Sequence, residues 1–483
     1  KRTGTAMVKI AMDLLAEGEI DEKTALERCE PNKLDELLHP VFDKQALAQA
    51  KVLTRGLPAS PGAACGQIVF FADDAKEWHD AGHQIVMVRI ETSPEDLAGM
   101  SAAEGILTAR GGMTSHAAVV ARGMGKCCVS GAGAINVDYK TRTVEIDGVV
   151  LKEGDYISIN GSTGEVYFGQ VKTKPAEVSG DFAKLMDLCN KYTKLVVRTN
   201  ADTPHDAEVA RNFGAVGIGL CRTEHMFFEA DKIKAMREMI LSDNQEGRKK
   251  ALAKLLPFQQ KDFYGILKAM DGHPVNIRLL DPPLHEFVPH DLAGQQTMAD
   301  EMGVSVQKIQ QRVNSLSEAN PMLGHRGCRL GNTYPEITEM QTRAILGAAI
   351  QLKKEGFDPH PEIMVPLIGI VNEFDLQEKV IRDTAKELFE QEEIEIPFKV
   401  GTMIEIPRAA LTADYIAKKA EYFSFGTNDL TQMTFGYSRD DIASFLPVYL
   451  EKKILNVDPF QVLDQNGVGQ LVKMAVEKGR TTR

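Results

Sequence analysis

The sequence predicts a multidomain α/β protein, a small β/α domain followed by a parallel barrel of the (β/α)8 type. Three observations carry that expectation. The 483 residues are enough for two or three domains, each with its own core. Between about 51 and 170, short β-like runs follow one another across glycine turns, with one short helix among them. From residue 195 onward, apolar strand-like runs alternate with helical patterns, and each run ends in polar or charged residues. The composition, 43% hydrophobic and 26% charged, is that of an ordinary globular protein. No apolar run approaches the ~20 residues that span a bilayer. A net charge of −12 argues against binding to nucleic acid or an anionic membrane surface, so anionic ligands need local arginines or a metal. Seven scattered cysteines without a C-x-x-C pair suggest reduced thiols and a cytoplasmic setting, not a disulfide or zinc framework.

Residues 1–50 read as a helical linker segment. Ala6 to Ala16 repeat apolar residues at helical spacing, and Asp21 is a helix N-cap ahead of Cys29. GLPASPGAACGQIVF at 56–70 is a turn leading into a strand. Further strand-like runs lie at Gln84–Val88, Gly105–Thr108, Thr143–Ile146, Tyr156–Ile159 and Glu165–Phe168, which bounds a domain at 51–170. Residues 171–194 form a second linker, and two linkers around one small domain let it swing as a unit. The barrel, 195–483, shows six strand-like runs: 195–202, 215–224, 275–281, 362–369, 400–407 and 422–429. An open doubly wound sheet would want a glycine-rich loop after its first strand, and TNADTP at 199–204 is none. Closure needs eight strands. After Asp429 only helical and loop patterns follow, with a helix at 468–478, so the barrel is expected to be incomplete in this chain. The chain opens on Lys1, not Met, so any targeting segment is expected to lie outside it.

The stretch GGMTSHAAVVARGMG, residues 111–125, carries the clearest chemistry. A double glycine leads into a helix whose first turn holds His116. Free N–H groups and the positive dipole end of a helix favour an anion there, and the same dipole favours neutral, nucleophilic imidazole. Gly111 and Gly112 let a ligand approach the backbone, while Thr114 or Ser115 can cap the helix. A histidine so placed can accept a phosphoryl group and pass it on. An ordinary helix start with a surface histidine has the same spacing.

The wording of this stretch strongly resembles the phosphohistidine signature of the phosphoenolpyruvate-utilising enzymes. It is most similar to the dikinases among them, since other branches usually carry Arg where this chain has Met113. The resemblance runs over essentially the whole chain. It implies that His116 becomes phosphorylated, that 51–170 is the carrier domain, and that 195–483 binds phosphoenolpyruvate and pyruvate. It further implies interconversion of ATP, phosphate and pyruvate with AMP, diphosphate and phosphoenolpyruvate. The nucleotides would act through a domain absent from this chain, and a homodimer is expected. The alternatives are a phosphoenolpyruvate synthase and a non-catalytic phosphocarrier or sensor.

Arg222, Arg278, Glu405 and Asp429 all close strand-like runs, where barrel active sites are built. Alone, an arginine at such an end is more readily a surface ion pair. The resemblance makes Arg222 (GLCRTEH) and Arg278 (NIRLLDPPLHEF) substrate ligands, adds Arg326 (NPMLGHRGCR), and gives Mg²⁺ to Glu405 and Asp429. It also sets Gly426, Thr427 and Asn428 around the substrate, although GTND could be a simple turn with a helix cap. The general-acid cysteine of the dikinases has no counterpart, because no cysteine follows Cys328. The segment by itself is therefore expected to turn over poorly. Cys127 and Cys128 read as small buried apolar residues. Glu224 and His225 read as support for Arg222. His285, Glu286, His290 and Asp291 lie in a Pro-bounded loop without the spacing of a zinc site. Thr114 and Ser115 resemble positions regulated by phosphorylation in plant dikinases, with capping their default role.

Overall fold

The computed structural model describes residues 3–34, 37–112, 115–176, 180–227, 230–318, 320–439 and 441–482, and the chain divides into two units, Lys1–Lys194 and Leu195–Arg483. In the first unit, Thr3 caps helix Gly4–Ala16 by accepting the Ala6 N–H, and Asp21 caps helix Glu22–Glu27 by accepting the Thr24 N–H. The first helix buries Met7, Val8, Ala11 and Met12 in a cluster shared with Phe182 and Leu185 of helix Gly180–Tyr192. Val41–Phe42 pairs antiparallel with Thr173–Lys174. The two segments that read as separate linkers thus fold against each other, because each carries an apolar stripe it cannot bury alone.

Between them lies an eight-stranded sheet of β1 (Val52–Arg55), β2 (Leu57–Ser60), β3 (Ala63–Val69), β4 (Ile85–Arg89), β5 (Gly105–Thr108), β6 (Cys127–Ser130), β7 (Tyr156–Asn160) and β8 (Glu165–Phe168). Its order is β1-β8-β7-β3-β4-β5-β6-β2, with β3 to β6 parallel and the flanking pairs antiparallel. The two-residue period of a strand sorts its residues between two cores. Val86 and Val88 face a cluster with Ile135, Val144 and Ile146 of a small three-stranded sheet. Ile85 and Met87 face the opposite cluster, which holds Ala117, Ala118 and Ala121 of helix His116–Gly123. Cys127 and Cys128 divide in the same way, and burial pushes the Cys128 thiol up to about 12. Both are inert packing residues.

The second unit holds β9 (Thr199–Asn200), β10 (Ile218–Arg222), β11 (Pro274–Arg278), β12 (His360–Val365), β13 (Lys399–Ile404) and β14 (Phe423–Phe425). All pairs are parallel and the sheet order equals the chain order. A sheet that advances one way without reversal is barrel-like, since doubly wound sheets reverse at a switch point. Inner faces of helices Gln245–Ala269, Pro335–Lys354 and Val371–Glu392 share one core with the strands. β9 and β14 are the edges of this six-stranded sheet. Helix Val468–Thr482 packs on the short helices Pro407–Leu411 and Ala413–Ala417. Among the described residues no helix is long and apolar enough to cross a membrane.

Candidate active site

In the first unit, His116 is the first residue of its helix, and Ser115 caps that helix by accepting the Ala118 N–H. Met113 and Thr114 lie outside the described residues. Gly111 has φ +115°, and a Cβ there would come within 2.9 Å of Ser115 Oγ and Ser130 Oγ, so only glycine fits. The ring of His116 is oriented from a neighbouring segment, with Nδ1 3.0 Å from Oγ1 of Thr92, itself buried. When Nδ1–H is the donor, Nε2 keeps its lone pair. Replacing Thr92 with valine removes this partner at nearly constant volume. The expected result is a roughly ten-fold slower phosphoryl transfer to His116, read by rapid-quench labelling with unchanged thermal stability. An unchanged rate would show that the ring is held by other contacts.

In the second unit, the C-terminal strand ends surround a cavity of about 630 Å³. Arg222, Arg278, Arg326, Glu405, Gly426, Thr427, Asn428 and Asp429 all line it. Residues as distant in the chain as Arg222 and Asp429 are gathered here because β10, β11, β13 and β14 end at the same level of one parallel sheet. Gly426 starts the helix Thr427–Phe435 without a side-chain cap. Thr427, Asn428 and Asp429 therefore sit in an uncapped first turn and are not caps themselves. The N–H groups of that turn add partial positive charge at the cavity wall.

The buried arginines are locked by carboxylates. Arg278 pairs with Glu224 through Nη2 and with Asp281 Oδ2 at 2.9 Å through Nη1. Arg326 meets the same Asp281 oxygen at 2.6 Å and Asp429 Oδ2 at 3.3 Å. Burial alone would push the Arg278 guanidinium down, but Asp281, Glu224 and Glu405 outweigh it and hold it charged. Arg222 is freer. Its backbone N–H donates to Asp202 Oδ1 at 2.7 Å, while its guanidinium stays 3.9 Å from Asp202 Oδ2. Glu224 thus supports Arg278, and the sequence reading that gave it to Arg222 is corrected by the geometry; Asp202 serves Arg222.

Glu405 is 1% exposed and takes no ion pair among the described residues. Its Oε1 accepts the Leu367 N–H at 2.6 Å, with Leu367 held at φ +62°. A Cβ on residue 426 would lie 2.6 Å from Glu405 Oε2, so Gly426 is what leaves that oxygen room. Burial, then Asp281 and Asp429, push the Glu405 carboxyl well above its ordinary range, against the pull of Arg278 and Arg326. A carboxyl in that position gains most from a hard cation. Two carboxylates with room for substrate oxygens fit Mg²⁺, which takes one or two from protein. Among the described residues no cluster of three His, Cys, Asp or Glu side chains is poised to hold a metal, His285, Glu286, His290 and Asp291 included.

The sequence reading missed Asp281, Asp202 and Arg439. Arg439 lines the cavity from the loop after the GTND helix, exposed and without an ion pair among the described residues. Asp281 stands inside the quoted DPPLHEF motif, three residues after Arg278. That i, i+3 acid was the one available signal.

The chain matches the family model described as PEP-utilising enzyme, PEP-binding domain over residues 176–483, and PEP-utilising enzyme, mobile domain over 82–164. It is 56% identical to "Pyruvate, phosphate dikinase" of Clostridium symbiosum, covering 100% of this chain and 55% of that protein. It is 57% identical to "Pyruvate, phosphate dikinase 1, chloroplastic" of Arabidopsis thaliana, covering 100% and 50%. "Pyruvate, phosphate dikinase" of Giardia intestinalis is 56% identical, with 100% and 54% covered. The chain spans about half the length of the curated relatives it matches.

Proposed function

The chain belongs to the phosphoenolpyruvate-utilising enzymes, and on that premise we propose that it carries out reversible phosphoryl transfer between phosphoenolpyruvate and His116, as the pyruvate half of a pyruvate, phosphate dikinase. The observation that carries this reading is the convergence of three arginines and two metal-competent carboxylates on one cavity at the C-terminal strand ends. Residues 51–170 act as the phosphohistidine carrier and 195–483 as the substrate domain.

Phosphoenolpyruvate brings a phosphate, a carboxylate and an enol oxygen on three carbons. The planar forks of the arginines suit its oxyanions. Arg278 and Arg326 are already oriented by Asp281, so they bind without losing much further entropy. In the forward step His116 Nε2 attacks phosphorus, the N–P bond forms, and the bond from phosphorus to the enol oxygen breaks with its electron pair on oxygen. The enolate then takes a proton from water at its methylene carbon and leaves as pyruvate. Glu405 and Asp429 would hold Mg²⁺, which supplies positive charge where the enolate develops. Arg278, fixed and charged, stabilises the same negative charge. The wider interconversion with ATP, AMP, phosphate and diphosphate, and a homodimeric assembly, belong to this proposal.

Mixing the chain with one equivalent of phosphoenolpyruvate and Mg²⁺ tests it. Pyruvate should be released with matching phosphoryl label left on the protein in a single turnover. Release of neither, from protein that binds oxalate, would overturn the transfer reading.

A further inference from the structure

His225 lines the same cavity, and neither its ring nor Asp202 has a part in the steps above. Asp202, just past β9, is held at both oxygens. Oδ1 accepts the Arg222 backbone N–H at 2.7 Å, and Oδ2 lies 2.8 Å from His225 Nδ1. A carboxylate has no proton to give, so Nδ1 is the donor and the ring orientation is fixed. Nε2 is left without a partner among the described residues. One carboxylate thereby fixes the imidazole relative to the backbone of Arg222, the least committed of the three arginines that the sequence marks.

Exposure decides which part of the substrate these groups meet. The side chains of His225 and Arg222 are 55% and 33% exposed, whereas those of Arg278 and Arg326 are 11% and 8% exposed. A phosphoryl group that is to be attacked by a histidine carried on another domain must face the open side of the cavity. The carboxylate and enolate then occupy the buried side. The rim groups are therefore phosphoryl ligands. Nε2 donates to a phosphoryl oxygen when the ring carries both protons, an imidazolium held between the Asp202 carboxylate and the phosphoryl anion. The other charged groups lining the cavity are Arg222 and Glu224 on its own segment, Arg278 at the end of β11, Asp281 and Glu286 beyond it, and Arg326, Glu405, Asp429 and Arg439 from later elements.

We propose that His225, positioned by Asp202, is a phosphoryl-binding residue that works with Arg222 at the cavity rim. This rests on the phosphoenolpyruvate reading of the cavity. The test is calorimetric binding of two ligands with Mg²⁺, in a His116→Ala background so that no transfer occurs. Phosphoenolpyruvate carries the phosphoryl group, while oxalate mimics the enolate and carboxylate without it. His225→Gln should weaken phosphoenolpyruvate about ten-fold and leave oxalate within about two-fold. Equal weakening of both ligands, or no weakening of either, would overturn the assignment. A starting protein that binds neither ligand would refute the pocket reading itself, an outcome distinct from either.

Discussion

The His116→Ala protein should take up no label from radiolabelled phosphoenolpyruvate, while the unaltered chain should take up one phosphoryl group that is acid-labile and base-stable. The loss should be complete because no nearby group among the described residues can substitute for the imidazole. Ser115 is the obvious rival, next in sequence and capping the same helix, but its proton is already committed. Thr108 Oγ1 donates to the Arg110 carbonyl at 2.8 Å, so toward Ser130 Oγ, 3.1 Å away, it can only accept. Ser130 then accepts from Ser115 Oγ at 3.3 Å, and Ser115 accepts the Ala118 N–H on its other side. The hydroxyl chain runs one way, inward from Ser115, with Thr108 and Ser130 fully buried. Beyond it lies no base to take a proton. A phosphohistidine is a phosphoramidate and falls apart in acid, whereas a phosphoserine survives. Acid-stable label, or label remaining on the alanine variant, would sink the assignment. Peptide mapping of the labelled chain completes the measurement.

Much of the fold was legible because strands buried on both faces write continuous apolar runs. β10 and β14 fall inside runs expected from the sequence, β11, β12 and β13 begin one or two residues before theirs, and the charged residues closing four of those runs line the cavity. β6 was passed over: CCVS follows a glycine-rich stretch at once, and two cysteines do not announce a strand. β1 and β2 are four residues each, with exposed positions at Val52 and Leu57 that blur any pattern. β9 is only two residues long. The pairing of helix Gly4–Ala16 with helix Gly180–Tyr192 spans the whole carrier domain, and no local signal encodes so distant a partner. The site shows the same division. His116, the arginines, Glu405 and Asp429 stand in distinctive local strings. Asp202 and Asp281 matter through what they touch across strand ends, and Arg439 through the cavity it lines; only the folded sheet brings these together.

Glu405→Gln should cost at least about 10³-fold in turnover and yet leave the cation-free protein no less stable, or more so. The two signs follow from one environment. A glutamine side chain there would keep the shape and the acceptor for the Leu367 N–H but remove a charge buried beside Asp281 and Asp429. For the cation-free protein that charge is a burden. A carboxyl whose native-state affinity for protons is raised stabilises the fold most below its ordinary value of 4.5. That contribution is lost as pH rises toward its native-state value, so stability should fall on the way up. Mg²⁺ should reverse the fall by favouring the ionised form, and the glutamine variant should show neither the pH slope nor the rescue. Asp429→Ala should lose turnover to a similar degree, because its carboxylate faces the same oxygen site while Arg326 remains held by Asp281. Thermal unfolding across pH, with and without Mg²⁺, reads the first effect, and single-turnover kinetics read the second. Near-normal rates for both variants at ordinary Mg²⁺ would place the metal elsewhere. A glutamine variant that is inactive but plainly destabilised would mean that Glu405 is a structural acid, since only a functional charge is kept where the fold by itself disfavours it.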